Sequence, residues 1–248
     1  NRFFIFMLAF LLYSFKMAQH SFRGWASFGF GFSDWGTGGG PGWFENSGEF
    51  GVQMCVFFPL ALCFYLALSE FWPKWKKAFF ALFPVFALSS MISSASRGAL
   101  LGGGAVLCFL LLKSKYRVRG LLGLIVVAGL VYIAIPPEQM ARLQDMGEDR
   151  TSITRMERWD KGLEMARMYP VFGVGYYNWM VADRRIFGEN AGVSHNVFIQ
   201  CLSELGYSGL MVFILMILYT FINNHRTREI ARTMLDRGKY LVLMSHGL

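Results

Sequence analysis

Charged residues are scarce in this sequence. Only 16% of its 248 residues are Asp, Glu, Lys or Arg, whereas 54% are hydrophobic. A typical soluble domain has roughly 25% charged residues. The hydrophobic residues form long blocks rather than amphipathic stripes, a pattern typical of segments whose solvent is lipid. We therefore predict an integral membrane protein and exclude a soluble globular domain.

Residue patterns that bind metals or nucleic acids are also lacking. The four cysteines lie in or beside hydrophobic blocks, and no two have the CxxC spacing of a redox or metal site. The net charge of +8 comes without an RNP motif, a zinc-finger spacing or a basic helix. Four acidic residues lack a metal-ligand spacing: Glu138, Asp145, Glu148 and Asp149. We expect no metal, no cofactor and no nucleic-acid partner.

Six hydrophobic blocks are candidates for transmembrane helices, since a helix needs about 20 apolar residues to cross the bilayer core. They lie near residues 3–19, 49–69, 77–95, 98–113, 119–136 and 196–223. The fourth block is short and rich in glycine, which suits a helix packed closely inside a bundle. The predicted fold is an all-α bundle of about six spans with one long, partly helical loop.

The blocks divide the chain into four parts. Residues 1–136 would hold the first five spans and a loop at 20–48 that is rich in glycine and aromatic residues. Residues 137–195 would form the long loop, and 196–223 the sixth span. The basic residues at 224–248 would form a tail or the start of a further segment.

Lysines and arginines mark one side of the predicted bundle. They cluster at 74–77 after the second span, at 113–119 after the fourth and at 226–239 after the sixth. In a six-span order these clusters face the same compartment, and the positive-inside rule makes it cytoplasmic. The loops at 20–48 and 137–195 then lie outside. The aromatic residues of the first loop suit either a lipid-interface belt or platforms that stack on sugar rings, and both interpretations stay open.

Within the long loop, apolar residues three or four positions apart predict a helix over 151–169. Pro170 should end this helix, and Gly173 and Gly175 should mark a turn after it.

Three arginines are candidates for binding a phosphate group. Arg97 lies at the outer end of two consecutive spans. A charge there is costly, so the default interpretation of Arg97 is a functional residue. Its planar guanidinium suits bidentate phosphate binding, although an arginine that reaches to lipid head groups is the alternative. Arg155 and Arg158 share a helix face, where nearby carboxylates would otherwise make them an ordinary solvated surface.

His195 is the most suggestive titratable residue. It lies where the long loop re-enters the membrane, and we expect Ser194 to cap the following span. The positive end of a helix dipole favours the neutral imidazole, which can accept a proton from a sugar hydroxyl. A cap or packing role is the alternative. Together with the arginines, His195 predicts a metal-free site that holds a diphosphate and activates a hydroxyl.

At these residues the sequence resembles the O-antigen ligase and Wzy-type polymerase superfamily. The resemblance covers roughly residues 40–210 and lies in four segments: Gly42–Glu49; Ser96–Ala99; Arg155–Trp159 with Tyr169–Gly175; and Ser194–Phe198 with Glu204–Gly206. The glycines and proline before Asn46 are more similar to the branch of exosortase-associated O-glycosylation ligases.

The resemblance implies a multi-pass enzyme of the bacterial inner membrane whose active site faces the periplasm. It would transfer a glycan from undecaprenyl diphosphate to a hydroxyl of lipid A-core, of a protein or of another glycan. Arg97 and Arg155 would bind the diphosphate, and His195 would activate or position the acceptor. The resemblance also implies substrate-binding residues at Arg158, Asn196, Asn46 and Glu49.

Two alternatives stay open. A Wzy-type polymerase needs the same donor site, so local sequence does not separate it from a ligase. A transporter or flippase component should have ionisable residues near mid-membrane. The second, third and fifth predicted spans lack such residues, which counts against a transporter.

Overall fold

The computed structural model describes residues 2–31, 36–37, 44, 46–113, 150–188 and 192–233, with single helical positions at 118, 122, 125 and 129. Apart from those four positions, the predicted span at 119–136 lies outside the described residues. So do the acidic residues at 138–149 and the tail beyond residue 233. The chain forms two compact units, 1–136 with 224–248, and 137–223.

All regular elements among the described residues are helices. They are α1 (Arg2–Ser27), α2 (Ser47–Leu68), a 3-10 turn (Ser69–Phe71), α3 (Lys74–Ser93), α4 (Arg97–Lys113), α5 (Arg150–Met168), α6 (Trp179–Phe187) and α7 (Val197–Thr233).

Three helical stretches of the described chain are long and apolar enough to cross a membrane. They are Ser47–Phe71, Lys74–Ser93 and Val197–Ala231, while the apolar stretch Arg97–Leu112 is shorter. The predicted all-helical membrane fold is therefore confirmed, and the number of six spans stays a prediction.

In the first unit, α1 and α3 run parallel to each other and antiparallel to α2. Phe4, near the start of α1, stacks on Phe64 near the end of α2, with ring centroids 5.8 Å apart. Ser21, near the end of α1, lies within 3.1 Å of the Ser93 hydroxyl at the end of α3. At about 1.5 Å per residue, α3 is about 30 Å long. Lys74 and Ser93 thus lie at opposite ends of this bundle.

Phenylalanine rings fill the space between these helices. Phe15 of α1 stacks on Phe83 of α3, with centroids 4.1 Å apart and ring planes 2° apart. Phe57 and Phe50 of α2 are fully buried beside them. Because lipid provides no hydrophobic force between helices, such ring packing and close backbone contact are what hold this bundle together.

Small residues allow α2 to approach the turn between α3 and α4. A Cβ atom on Gly51 would lie 2.6 Å from both the Cβ of Ala99 and the Oγ of Ser94. On α4, a Cβ atom on Gly103 would lie 2.7 Å from the Sδ of Met91. The glycine-rich fourth block is thus packed closely in part, as its sequence predicts.

Two helices extend past the apolar blocks that predicted them. α1 continues beyond residue 19 to Ser27, and α7 continues beyond residue 223 to Thr233. Hydrophobicity reports which residues suit the bilayer core, whereas backbone hydrogen bonds extend a helix into polar sequence. The loop predicted to begin at residue 20 therefore begins after Ser27. Its next residue, Phe28, is 76% exposed.

In the second unit, α5, α6 and the first part of α7 pack around Trp179. This indole is 1% exposed and lies beside Met165, which is fully buried. α5 approaches so closely at Gly162 that a Cβ atom there would lie 2.5 Å from Ile199 and 2.8 Å from the Trp179 ring. The predicted helix at 151–169 is confirmed, and it packs by its glycine-containing face.

Gly206 breaks α7. Its φ of 69° and ψ of −171° lie outside the helical region, so Val197–Leu205 and Tyr207–Thr233 are two helical segments. The hydropathy of the block at 196–223 does not reveal this break, because hydropathy does not report backbone φ and ψ.

We predict that Gly51→Ala destabilises the first unit, because the new methyl group must displace Ala99 or Ser94. A cost of about 1–3 kcal/mol is expected for overpacking, measured as a lower midpoint of thermal unfolding of the full-length protein in detergent. Gly104→Ala is the matched control, since no atom lies within 4 Å of a Cβ there. The idea fails if the two variants unfold at the same temperature.

Candidate functional site

Two of the predicted site residues, Asn46 and Glu49, form the start of α2. The Asn46 side chain is the N-cap: its Oδ1 accepts a hydrogen bond from the backbone N–H of Glu49 at 2.9 Å. Its Nδ2 donates in return to Oε1 of Glu49, also at 2.9 Å. The first bond satisfies a backbone N–H that an uncapped helix start would leave without a partner, and the second holds the two side chains together. The Asn-containing entry to the second span is therefore a capping motif.

Serines build the turn that presents Arg97. Ser94 donates from its hydroxyl to the carbonyl of Met91 at 2.7 Å and stays buried. Ala95 has a positive φ of 49°, which turns the chain. Ser96 then caps α4 by accepting from the backbone N–H of Ala99 at 3.4 Å. Arg97 is consequently the first residue of α4 and is half-buried.

The structure brings these two helix starts together. A Cβ atom on Gly48 would lie 3.5 Å from Ser96 Oγ and 3.1 Å from Asn46 Oδ1. Asn46, Glu49 and Arg97 therefore lie at one end of the first unit, and Lys74 lies at the other. The positive ends of two helix dipoles and a guanidinium meet there, an arrangement that attracts an anion.

The segment before α7 holds the other predicted residues, and here one expectation is wrong. Asn196, not Ser194, caps the helix: its Oδ1 accepts from the backbone N–H groups of Phe198 at 3.0 Å and Ile199 at 3.4 Å. Ser194 is instead buried, with its hydroxyl bonded to the carbonyl of Asn196 at 3.0 Å. Both residue types cap helices, and they lie only two positions apart, so sequence alone does not choose between them.

His195 itself lies in a left-handed turn. Its φ is 50°, a conformation that non-glycine residues adopt rarely, and its side chain is exposed. The imidazole thus projects from the residue directly before the N-cap of α7. A turn of this kind persists only when neighbouring groups fix it, and such turns often lie at functional sites.

α5 supplies the groups that fix this segment. Trp159 donates from its indole Nε1 to the carbonyl of Ser194 at 2.9 Å, one peptide before His195. Arg158 donates from Nη1 to the carbonyl of Val193 at 3.3 Å. A Cβ atom on Gly192 would lie 3.3 Å from the same guanidinium nitrogens, so glycine leaves room for them.

Arg155 lies one helical turn before Arg158 and Trp159 on α5, and it is exposed. The structure therefore connects α5 with the His195 segment through Arg158 and Trp159 and leaves Arg155 accessible to solvent. In the sequence, Trp159 is an apolar residue of the predicted helix and the last residue of the family segment Arg155–Trp159. Its contact with Ser194 was not predicted, because no sequence signal reveals the acceptor of an indole N–H.

Glu204 and the backbone beside it hold the turn after α5 through a set of hydrogen bonds, which we call the clasp. The carboxylate is 5% exposed and accepts from the backbone N–H groups of Tyr177 and Trp179, each at 3.2 Å. No interpretation of the sequence gave Glu204 a role beyond its place in a family motif. Burial removes water from this carboxylate, and the two backbone N–H groups replace the hydrogen bonds that water would donate to it.

The break at Gly206 makes this clasp possible. In a continuous helix, the carbonyls of Ser203 and Glu204 would accept from residues 207 and 208. Here they accept from the backbone N–H groups of Val174 and Gly175, both at 2.9 Å. The N–H of Tyr207 donates instead to the carbonyl of Pro170 at 2.8 Å. The turn after Pro170 thus exchanges hydrogen bonds with the opened helix.

Among the described residues, no group of three His, Cys, Asp or Glu side chains lies together as a metal site would require. Two helix-start regions hold the predicted site residues: the starts of α2 and α4 hold Arg97 and Glu49, and α5 with the start of α7 holds Arg155, Arg158 and His195. Arg97 belongs to the first unit, and Arg155 and His195 belong to the second. Their convergence on one substrate stays a prediction.

Comparison with known proteins gives two matches. A model of the family described as O-antigen ligase matches residues 82–214, more than half of the chain. The exopolysaccharide production protein ExoQ of Rhizobium meliloti (strain 1021) is 33% identical over 85 residues. That similarity covers 30% of this chain and 20% of ExoQ.

The family match spans both helix-start regions in part, since it includes Arg97 and Ser96 as well as Arg155 and His195. It also includes Glu204 and Gly206, which form the clasp. The resemblance found in the sequence is thereby confirmed, and the chain belongs to the O-antigen ligase family.

Proposed function

We propose that the protein containing this chain transfers a glycan from undecaprenyl diphosphate to an acceptor hydroxyl of lipid A-core or of a protein. One observation supports this most: the family match includes Arg97, Arg155 and His195, and two of them adjoin capped helix starts. The reaction would take place at the periplasmic face of the bacterial inner membrane. The opposite placement of Lys74 and Arg97 in the first unit supports this orientation.

The diphosphate would bind where guanidinium groups and helix starts supply positive charge. Arg97 follows the Ser96 cap of α4, so backbone N–H groups and a guanidinium lie together at this helix start. Arg155 is exposed on α5 and free to turn toward a ligand. Arginine matches the oxygens of a phosphate bidentately and keeps its charge near a membrane. Arg97 and Arg155 would stabilise the negative charge that grows on the leaving diphosphate.

Asn46 and Asn196 would act chiefly through the helix starts that they cap, since their side-chain oxygens already accept from backbone N–H groups. The Glu49 carboxylate accepts from the Asn46 amide, so a substrate would meet its remaining lone pairs. Arg158 donates to the carbonyl of Val193, and its part would be to hold the His195 segment in place for the acceptor.

His195 would take the proton of the acceptor hydroxyl. The acceptor oxygen forms a bond to the anomeric carbon, and the bond from that carbon to the phosphate oxygen breaks. Undecaprenyl diphosphate leaves with the bonding electron pair, and the proton of the acceptor stays on the imidazole. A direct displacement of this kind inverts the anomeric centre. The protein groups supply base and positive charge, so the step needs no metal ion.

A polysaccharide polymerase is the second candidate. The similarity to ExoQ, a protein named for exopolysaccharide production, favours it specifically. In that case the acceptor hydroxyl belongs to another lipid-linked repeat, and the donor site is unchanged. Reconstitution with a lipid-linked oligosaccharide alone separates the two, since only a polymerase yields longer chains without a second acceptor.

We predict that Arg97→Ala and Arg155→Ala each lower the transfer rate at least about 100-fold, the effect of removing one charge-stabilising group. The test reconstitutes the full-length protein with an undecaprenyl-diphosphate-linked oligosaccharide and follows products by mass spectrometry. Arg185→Ala is the matched control, because Arg185 is an exposed arginine in the last turn of α6. Full activity in both test variants would remove the diphosphate clamp from the mechanism.

His195→Asn should lower kcat by about 100-fold or more, because it removes the base. Asparagine tolerates the left-handed backbone at this position, so the fold should persist. Donor KM should change little, since the imidazole acts on the acceptor.

Trp159→Phe is the companion variant, because it keeps an aromatic ring but removes the N–H that holds the Ser194 carbonyl. It should lower kcat less than His195→Asn does. A His195→Asn protein that turns over normally but binds donor weakly would contradict the acceptor role.

Chelation should leave activity unchanged. We expect the same transfer rate in EDTA as in buffer with magnesium, because arginines would neutralise the leaving group. Loss of activity in EDTA that magnesium restores would refute the metal-free mechanism and leave the glycan-transfer proposal intact.

A further inference from the structure

The turn between α5 and α6 presents an exposed pair of aromatic rings. Tyr176 is 78% exposed and Tyr177 is 84% exposed. Their ring centroids lie 6.2 Å apart, and the ring planes differ by 41°. The pair therefore forms an open, V-shaped aromatic surface in the second unit, with both phenol groups accessible.

The backbone beneath this pair is strained. Tyr177 has a φ of 61°, in the left-handed region that favours glycine. A bulky residue adopts this conformation at a cost in free energy, so the conformation persists only where surrounding groups impose it. With this backbone, the Tyr177 ring lies in solvent rather than against the core of the second unit.

Glu204 imposes this conformation. Its buried carboxylate accepts the N–H of Tyr177 itself and that of Trp179 two residues later, each at 3.2 Å. Trp179 is 1% exposed and anchored in the core of the second unit. Just before the pair, the N–H of Gly175 donates to the Glu204 carbonyl at 2.9 Å. Both sides of the tyrosine pair are thus attached to one short stretch of α7.

A rigid support of this kind favours a specific ligand over lipid. An aromatic residue that anchors a protein at the membrane interface needs only the correct depth, and its backbone needs no fixed geometry. Phe172, in the same turn, is 77% exposed without a strained backbone. Tyr177 combines exposure, a left-handed backbone and a buried carboxylate that holds its backbone N–H, and Tyr176 packs beside its ring.

We propose that Tyr176 and Tyr177 form a sugar-binding subsite for the glycan on which this family of proteins acts. The nonpolar C–H face of a sugar ring stacks on an aromatic face, and the phenol groups exchange hydrogen bonds with sugar hydroxyls. The proposal rests on the proposed function for the nature of the ligand. Glu204 is the positioning residue, since it contacts the backbone of the pair and not the sugar.

The test measures glycan binding without transfer. The full-length protein in detergent is titrated with the repeat-unit oligosaccharide released from its own lipid-linked donor, and saturation-transfer NMR reports binding. Tyr177→Asn keeps a residue suited to the left-handed backbone and should weaken binding about three- to tenfold, the range for loss of one aromatic contact. Tyr176→Ala should do the same. Tyr177→Phe retains the ring and should bind within about twofold of the unchanged protein.

Phe172→Asn is the matched control and should bind the oligosaccharide normally. The subsite is overturned if Tyr177→Asn and Tyr176→Ala keep full affinity. An equal loss in Phe172→Asn would also overturn it and would assign the turn to the lipid interface.

A transfer assay on the same variants separates the two proposals. Raised glycan KM with nearly unchanged kcat supports the subsite, because binding is lost and chemistry is not. Absence of transfer by the unchanged protein, with tyrosine-dependent binding, would refute the transferase and leave the subsite standing.

Discussion

A helix that starts at or inside a bilayer must satisfy its first backbone N–H groups without bulk water, and this requirement organises the structure. Asn46 caps α2, Ser96 caps α4 and Asn196 caps α7. Each cap adjoins a polar residue of proposed function: Glu49, Arg97 and His195. At each cap, the positive end of that helix's dipole lies beside its own polar residue of proposed function. Capping and chemistry thus share the same few positions in the sequence.

The same requirement explains the clasp in the second unit. Once Gly206 interrupts α7, the carbonyls of Ser203 and Glu204 need new donors, and the turn after Pro170 provides them. The Glu204 carboxylate then satisfies the N–H groups that begin α6. One segment contains a proline and glycines, and the other contains an acid and a glycine. Hydrogen bonds between them join the two segments into one assembly. The Glu204 carboxylate thus joins the two segments.

The sequence predicts some features of this protein far better than others. Hydrophobic blocks locate α2, α3, α4 and α7, because burial in lipid demands long apolar runs. The amphipathic period locates α5, and Pro170 marks its end correctly. The break at Gly206 stays hidden, because a hydropathy pattern does not report φ. The contacts of Trp159 and Glu204 stay hidden as well, since each depends on an acceptor or donor more than 20 residues away.

The break at Gly206 also determines which part of α7 is long enough to cross a membrane. The stretch before it, Val197–Leu205, is only about 14 Å long at 1.5 Å per residue and does not cross a hydrocarbon core of about 30 Å. The segment from Tyr207 to Thr233 is about 40 Å long by the same rise. It is therefore longer than that core by roughly two turns, about the length of its last stretch from Arg226 to Thr233. Because the chain leaves the helical path at Gly206, the position of His195 does not follow from counting back from those residues along one straight helix.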